Sequence, residues 1–517
     1  MALRTGDTAT PADAAGRPRL LVVSPPVSQP AQPPAGPFTL ASGLRGLGAE
    51  AGLLDLSPPF LLGLLDDDVL APSLRYLRQG ERHSGLYEPH RHRSAAGSLH
   101  AQLRRSFRDS DWRVSLMDVT PPERAHSIPH LMETARGGST PFSGFLRSYA
   151  LGRITDFSPD RVLVSVSYLS QLPAALELAF LLRQTGIPFS VGGSFPRSLA
   201  TSGSGVEYLR RAIPELDLND GSSFMGATEG SVARAPLWPL MPGGFEYMCS
   251  RPVIPLPMTT GCPWGRCLFC PDRWTPYRKA AVRGLRAFLE SVPEPIRARR
   301  PLLHLADSAV PAECLGDILE PLRDAGFGFY GFVRPESGLL RDGLPNRLGD
   351  AGCMMLQLGV ESGSRRLLKM HRKGVEPETS LNVLRRLADS GVRTYAYLLM
   401  GLPGESQEDR RLTLRLLEEA EGSIDFLNVS VFNMPWRAAG EMERELGTAA
   451  GSYASRDGVI ELYRPFEYRG RDLRAEAREF ISGPMAQLPA AAEALQRTPR
   501  WFRATHMSLM ELDGRRS

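Results

Sequence analysis

The apolar positions come in short continuous runs before any longer periodicity appears. RLLVVSPP (19–26) is apolar for four residues and stops at a double proline. A run too short for a helix and bounded by turn residues predicts a strand buried on both faces. A Pro-rich loop, a helical stretch near 38–50 and a second strand, AGLLDLS (51–57), follow. LLGLLDDDVLAPSLRYL has a helical pattern and RHSGLYEPHRHRS reads as loop, so 58–155 is taken as a mostly helical insertion. Alternation resumes with the β-branched run DRVLVSVSY (160–168) and the helix QLPAALELAFLLRQTG, with Ser170 as expected N-cap and Gly186 as stop. The strand PFSVGGS (188–194) completes the unit. Strand–helix alternation of this kind predicts an open, parallel, Rossmann-like sheet over 18–200, with ligands beyond the carboxyl ends of the strands. Those ends carry Ser24, Pro25 and Pro26, then Ser167, Tyr168 and Gln171, then Gly192, Gly193 and Ser194. Ordinary βα turn chemistry accounts for them as well as ligand binding does.

A linker containing several Gly, Pro and Ser residues spans 201–252. Strands are then predicted at 253–259, 301–306, 327–333, 353–360, 392–399 and 425–432, each followed by helical text. Six βα units predict a partial (β/α)6 barrel over 253–435. Residues 436–517 read as a small, mostly helical tail with patches at 474–481 and 487–496, and 1–17 read as disordered. The whole is of the α/β class. No internal repeat or long low-complexity tract interrupts it.

Composition narrows function by exclusion. At 517 residues, 42% hydrophobic and 23% charged, the chain is an ordinary multidomain globular protein. A net charge of +4 is too mild and too dispersed for a nucleic-acid binder. No apolar run reaches the roughly 18 residues of a membrane helix, and the N-terminus lacks a signal-peptide core. A cytoplasmic protein with no membrane partner is the expectation. Only three of its 61 basic residues are lysines: Lys279, Lys369 and Lys373.

Three of the six cysteines fall within nine residues, in TTGCPWGRCLFCPD. Cys262, Cys267 and Cys270 are spaced C-x4-C-x2-C directly after a predicted strand. Three thiolates on one short loop suit a soft metal. Zinc takes four ligands, and neither His nor a fourth Cys completes the local set. A [4Fe–4S] cluster with one iron left open fits better, with structural zinc or three unligated thiols as the alternatives. Cys249, Cys314 and Cys353 read as packing residues.

The cysteine loop resembles that of the radical S-adenosylmethionine (SAM) superfamily, in a variant with one extra residue between the first two cysteines and an aromatic residue, Phe269, before the last. LQLGVESGSRRLLKMHRKG (356–374) resembles the superfamily's fourth-strand segment, which implies that Glu361, with Ser362, binds the cofactor's ribose. By the same resemblance Arg334 in FVRPES is a cofactor contact, and YLLMGLPGES (397–406), including Leu402, lies against the adenine. HLADSAV (304–310) offers Asp307 and Ser308 for the methionine amino group. A helix-capping carboxylate is the alternative role for Glu361, and a surface ion pair that for Arg334. The segment 165–197 resembles the cobalamin domain of members that carry one N-terminally. The cofactors implied are a [4Fe–4S] cluster, SAM and cobalamin, with Ser24, Pro25, Ser167, Tyr168, Gln171, Gly192, Gly193 and Ser194 facing the cobalamin. An empty, degenerate domain is the alternative, because the motif Asp-x-His-x-x-Gly is absent from 1–200. The implied activity is C-methylation of an unactivated carbon in a natural-product precursor or peptide, with flavodoxin or ferredoxin as electron donor. The alternatives are non-methylating radical chemistry on the same scaffold and a non-catalytic Fe–S or zinc protein. No residue is assigned as catalytic.

Overall fold

The structure is a computed structural model that describes residues 17–65, position 73, 89–218 (save 109, 117 and 121–126), 247–279 (save 250), 284–450 and 460–498. The disorder expected for 1–17 falls almost wholly outside the described residues.

Two parallel sheets organise the chain. The first contains β1 (Arg19–Ser24), β2 (Glu50–Asp55), β3 (Arg161–Ser165) and β4 (Phe189–Gly192), in the order β2-β1-β3-β4. Val22, at the centre, is flanked by Leu53 and Leu163, and all three are buried. Helix α1 (Ala35–Gly46) starts at the Pro33–Pro34 step rather than near 38, because the fixed proline torsion of its Pro34 N-cap leads into the first turn. Helix α2 (Leu172–Thr185) ends at Gly186 in the left-handed conformation, as its sequence implies. Its start differs from expectation: Ser170 lies inside a 3-10 turn, Leu169–Gln171, and does not cap the helix. The Gln171 side chain takes over, accepting from the backbone N–H of Ser167 (2.7 Å) and Tyr168 (3.1 Å). Helix α3 (Ser194–Ser202) leaves the end of β4.

Between β2 and β3, helices occupy 57–63, 89–106, 128–135 and 151–157, together with a two-stranded hairpin at 113–114 and 119–120. Part of the expected linker is also ordered, as the helix Val206–Ala212.

The second sheet holds six parallel strands in sequence order: β5 (Val253–Pro255), β6 (Leu302–Leu305), β7 (Gly328–Val333), β8 (Cys353–Glu361), β9 (Arg393–Met400) and β10 (Phe426–Val431). Helices α4 (Ala312–Ala325), α5 (Leu344–Asp350), α6 (Arg365–Met370), α7 (Pro377–Asp389) and α8 (Gln407–Glu419) alternate with them. Among the described residues β5 and β10 do not pair, so this is an open, partial barrel. The edge at β10 is covered by α9 (Leu473–Phe480) and α10 (Pro489–Arg497), with Thr498 Oγ1 accepting from the Leu427 N–H at 3.1 Å.

The inner and outer faces of the barrel differ. Outward residues such as Leu303, Leu305, Leu356, Leu358, Ala396, Leu398 and Leu427 are fully buried under the helices. Inward Phe332, Tyr397 and Asn428 are only half-buried and Ser430 is exposed, so the lumen opens to solvent at its mouth.

One hydrophobic core joins β1, β2 and α1 to the barrel strands. A polar contact crosses the same boundary. Gln32, buried in the loop after β1, accepts from the Tyr330 hydroxyl at 2.7 Å and meets His304 Nδ1 at 3.1 Å. Burial pushes the His304 imidazole down to about 4, so it is neutral.

Asp55, at the end of β2, titrates abnormally. Burial pushes its carboxyl up from 3.8 to about 7, against hydrogen bonds from the Ser57 N–H and the Tyr247 hydroxyl. The folded chain therefore keeps a proton that the unfolded chain releases near pH 3.8. This group's stabilisation is complete below that pH and is lost as pH rises to about 7. Asp55→Asn carries no titrating proton and is expected to narrow the gap between melting temperatures measured at about pH 5 and about pH 8. An unchanged gap would mean that Asp55 ionises normally.

Candidate cluster and cofactor site

The cysteine loop begins where β5 ends and is built as a long hairpin. Thr259 and Thr260 pair antiparallel with Lys279 and Arg278, closing its base. Gly261 (φ +68°) and Gly265 (φ +56°) turn the chain inside it. A Cβ on Gly261 would lie 2.6 Å from the Thr275 carbonyl oxygen, so only glycine allows the two arms to approach. Cys267 is buried, while Cys262 and Cys270 are partly accessible. Among the described residues no three His, Cys, Asp or Glu side chains gather as ligands of one metal ion.

Asp307 sits beneath the start of the loop. Its carboxylate accepts from the backbone N–H of Met258 (3.0 Å) and Thr259 and from the Thr259 hydroxyl (2.7 Å). The side chain braces the loop entry, whereas its neighbour Ser308 is exposed.

A second segment clasps the loop from the far side of the barrel mouth. Three consecutive carbonyls after α6 each accept a hydrogen bond: His371 from the Leu268 N–H (3.1 Å), Arg372 from Trp264 Nε1 (2.7 Å), and Lys373 from Arg334 Nη2 (2.6 Å). The Trp264 ring fills the space beside Gly374, where a Cβ would come within 2.1 Å of it. Arg334 lies over the same ring at 4.9 Å, with Nη1 4.0 Å from Cys267 Sγ. It is buried, not a surface ion pair; its carboxylate neighbour, Glu336, is 3.4 Å away and half-buried.

Glu361 ends β8 at a register shift, with φ +66°. Its carboxylate meets Lys373 Nζ at 2.8 Å inside the mouth. It caps no helix: the cap of α6 is Ser364, whose hydroxyl accepts from the Leu367 N–H. Ser362 is buried against Thr413 and Ser364. Leu402 is fully buried in the core around Leu268, and Phe269 lies 5.9 Å below Lys373 Nζ. Burial raises the Cys267 thiol, and the Lys373 and Arg334 charges oppose that shift. Two buried cations, Arg334 and Lys373, thus face one partly buried carboxylate, Glu361, with Glu336 at the edge, a balance that fits an anionic thiolate cluster on this loop.

The strand ends of the first sheet are tightly packed. Gln171 is buried and donates to the Pro25 carbonyl (2.6 Å) and the Ser24 hydroxyl (3.3 Å), tying β1 to β3. A Cβ on Gly193 would lie 2.4 Å from the Val166 oxygen, and one on Gly192 would lie 2.9 Å from the Asp217 oxygen. Protein backbone therefore accounts for both glycines. Ser194 donates to the Ser167 carbonyl (3.3 Å), and Tyr168 is 47% exposed at the sheet's end. Helix α3 runs from this end to the turn Pro271–Trp274 that follows Cys270, and its Thr201 carbonyl accepts from Arg437 (3.2 Å).

Lys373, Trp264 and Gly374 are the members that motif reading missed. Lys373 did leave a signal, as one of three lysines in a chain otherwise committed to arginine.

Gly374→Ala is expected to push Trp264 out of place and loosen the loop. Iron content after anaerobic reconstitution should fall well below wild type, with a shift in tryptophan emission. Normal iron loading with unchanged emission would show that the clasp is dispensable.

Several known proteins are similar to parts of this chain or to its fold. Residues 256–417 match the family model of the radical SAM superfamily. A tRNA-2-methylthio-N(6)-dimethylallyladenosine synthase of Saccharopolyspora erythraea is 31% identical over 98 residues, 18% of this chain and 19% of that protein. An uncharacterized methyltransferase of Pyrococcus horikoshii is 24% identical over 82 residues, 16% of this chain and 17% of that one. These matches span about a fifth of the relatives' length. Among solved structures, the cobalamin-dependent S-adenosylmethionine radical enzyme OxsB aligns with 96% of this chain and 72% of its own, at TM-score 0.53 and 14% identity. The radical S-adenosylmethionine methyltransferase TsrM from Kitasatospora setae, solved with cobalamin and a [4Fe–4S] cluster, aligns with 92% and 89%, at TM-score 0.51 and 14% identity. Among the described residues no helix is long and apolar enough to cross a membrane. Residues 256–417 are a radical SAM domain, whose family implies a [4Fe–4S] cluster and SAM, in a chain whose fold is similar to those of OxsB and TsrM.

Proposed function

We propose that this chain is a cobalamin-dependent radical SAM enzyme that methylates an unactivated carbon of a natural-product precursor or peptide. Flavodoxin or ferredoxin is the proposed electron donor. The observation that carries the reading is the contact of α3, which leaves the strand ends of the first sheet, with the turn that follows Cys270. A ligand over those strand ends and a cluster on the cysteine loop would then address one common space.

Cys262, Cys267 and Cys270 are the proposed cluster ligands. When bound, the cluster and SAM supply a carbon-centred radical and cobalamin supplies the methyl group. The chain's own residues do the holding. Arg334 and Lys373 keep positive charge next to the thiolates, where burial makes it count most. Glu361 presents a carboxylate able to accept both hydroxyls of a ribose diol, and Lys373 keeps it turned into the mouth. The buried leucines around Leu402 exclude water from that side.

One observation favours a second reading, radical chemistry without methylation. The small residues at the first sheet's strand ends are explained by protein contacts alone, as an empty scaffold would require. Cobalamin retention separates the two. Wild-type protein reconstituted with hydroxocobalamin and desalted is expected to keep about one equivalent and to transfer label from methyl-labelled SAM to product. Protein that keeps none leaves the domain a scaffold. Gly193 is unsuited to this test, because any side chain there strikes Val166 before it reaches a ligand.

Replacing Cys262, Cys267 or Cys270 by Ala should abolish both the brown chromophore and SAM cleavage. A single variant retaining both would remove the cluster from the loop. Glu361→Gln keeps shape but loses charge, and should weaken SAM binding by about 10- to 150-fold, or roughly 1.5–3 kcal/mol, with cluster content unchanged. Anaerobic calorimetric titration decides it; equal dissociation constants would deny Glu361 a cofactor contact.

A further inference from the structure

Below the Glu361–Lys373 pair the barrel lumen changes character. The inward positions of β7, β8, β9 and β10 carry Phe332, Gln357, Tyr397, Asn428 and Ser430. The register places Gln357 beside Phe332 and Tyr395, and Asn428 beside Tyr397. Phe332 and Tyr397 meet edge to face, with centroids 5.3 Å apart. Gln357 lies two positions before Gly359, on the same face of β8. A Cβ at Gly359 would touch Lys373 Nζ (2.8 Å), Glu361 (2.7 Å) and the Phe332 ring (3.4 Å), so this face looks into the lumen.

Gln357 is 3% exposed, yet among the described residues its Nε2 has no hydrogen-bond partner. A buried amide donor left unpaired is costly, and such groups are retained where a ligand or water completes them. Its neighbours at that level are rings and neutral polar groups. Among the described residues the charges near this face lie above, where Glu361 and Lys373 pair, and below at Arg393 and Arg251, which have interactions of their own. An ion placed between them would be buried without a counter-charge.

We propose that Gln357 and Asn428 form the hydrogen-bonding end of a substrate pocket whose wall is Phe332 and Tyr397. The pocket takes an uncharged, ring-bearing molecule that offers a carbonyl acceptor. This rests on the radical-enzyme reading for its role, and it narrows the substrate class that reading leaves open. Gln357 Nε2 donates to the carbonyl, Asn428 supplies a second amide, and the ring packs against Phe332 and Tyr397.

Benzamide, benzoate and cyclohexanecarboxamide test it, titrated into the full-length, cluster-loaded protein and followed by ligand-observed NMR. Benzamide should bind at least about tenfold more tightly than benzoate, which carries the same ring with a charge. It should also exceed cyclohexanecarboxamide, which lacks the aromatic face. Gln357→Leu and Asn428→Leu should each weaken benzamide by up to about tenfold, one hydrogen bond's worth, with SAM affinity unchanged. Asn428 is only half-buried, so its variant stays informative should Gln357→Leu misfold. Equal affinity for benzamide and benzoate, no benzamide binding at its solubility limit, or unchanged binding in a folded variant would overturn the pocket. Failure of wild type to bind SAM would instead sink the enzymatic reading, and the benzamide result would still judge the pocket.

Discussion

The barrel mouth depends on three peptide carbonyls. His371, Arg372 and Lys373 each hold one element of the cysteine loop or its neighbour: Leu268, Trp264 and Arg334. The loop has almost no secondary structure of its own, so its backbone groups need partners from elsewhere. At one end the hairpin base and the Asp307 carboxylate supply them; at the other the clasp does. A cluster and its cofactor must be held to within about 0.5 Å of productive geometry, which a loop tied at one end alone would not give. The clasp also fixes the charge: the Lys373 peptide that anchors Arg334 carries the ammonium that pairs with Glu361. Position and electrostatics at the site therefore meet in Lys373 and Arg334.

Besides the shared hydrophobic core, two polar or close contacts bind the first sheet into this arrangement among the described residues. Gln32 enters from the loop after β1 and meets Tyr330 and His304, whose rings stack at 4.5 Å. With His304 neutral, the contact is a buried, uncharged network, and such networks specify one docking geometry more than they add stability. The second tie is α3 against the turn after Cys270. Between them, the strand ends of the first sheet are held in register with the cysteine loop. The loop after β1 begins at Ser24 and Pro25, which Gln171 locks to β3. A displacement at those strand ends would thus reach the barrel through Gln32.

Much of this was legible in the sequence because it rests on local patterns. The six barrel strands announced themselves as short apolar runs, each followed by helical text, and each lies within a few residues of its expected place. The cysteines were legible by spacing, and Glu361 by its place at a strand end. What escaped was what depends on contact across the chain. Trp264 and Gly374 are 110 positions apart, and neither is unusual until the ring is seen filling the missing Cβ. Gly192 and Gly193 escaped for another reason: a glycine admitting a ligand and a glycine admitting a backbone read alike in sequence. Ser170 looked like a cap because serine is a good one, but the longer Gln171 side chain reaches two amides and a second strand, and the 3-10 turn follows from that reach.

Glu361 shows how much local order the site sets aside. A glutamate at φ +66° costs on the order of 1–2 kcal/mol relative to a right-handed or extended conformation. Asparagine or glycine would adopt that conformation more readily, but neither could reach Lys373 with a carboxylate. The register shift between Gly359 and Glu361 is what brings the residue there, since an extra position in β8 re-aims the last side chain of the strand. Gly359 then leaves the volume into which the carboxylate and the ammonium fold back together. Strain of this kind persists only where the surroundings over-determine it, and here a bulge, a glycine and a buried cation do so jointly. The carboxylate is thereby oriented before any ligand arrives, as the ribose contact proposed for it would require.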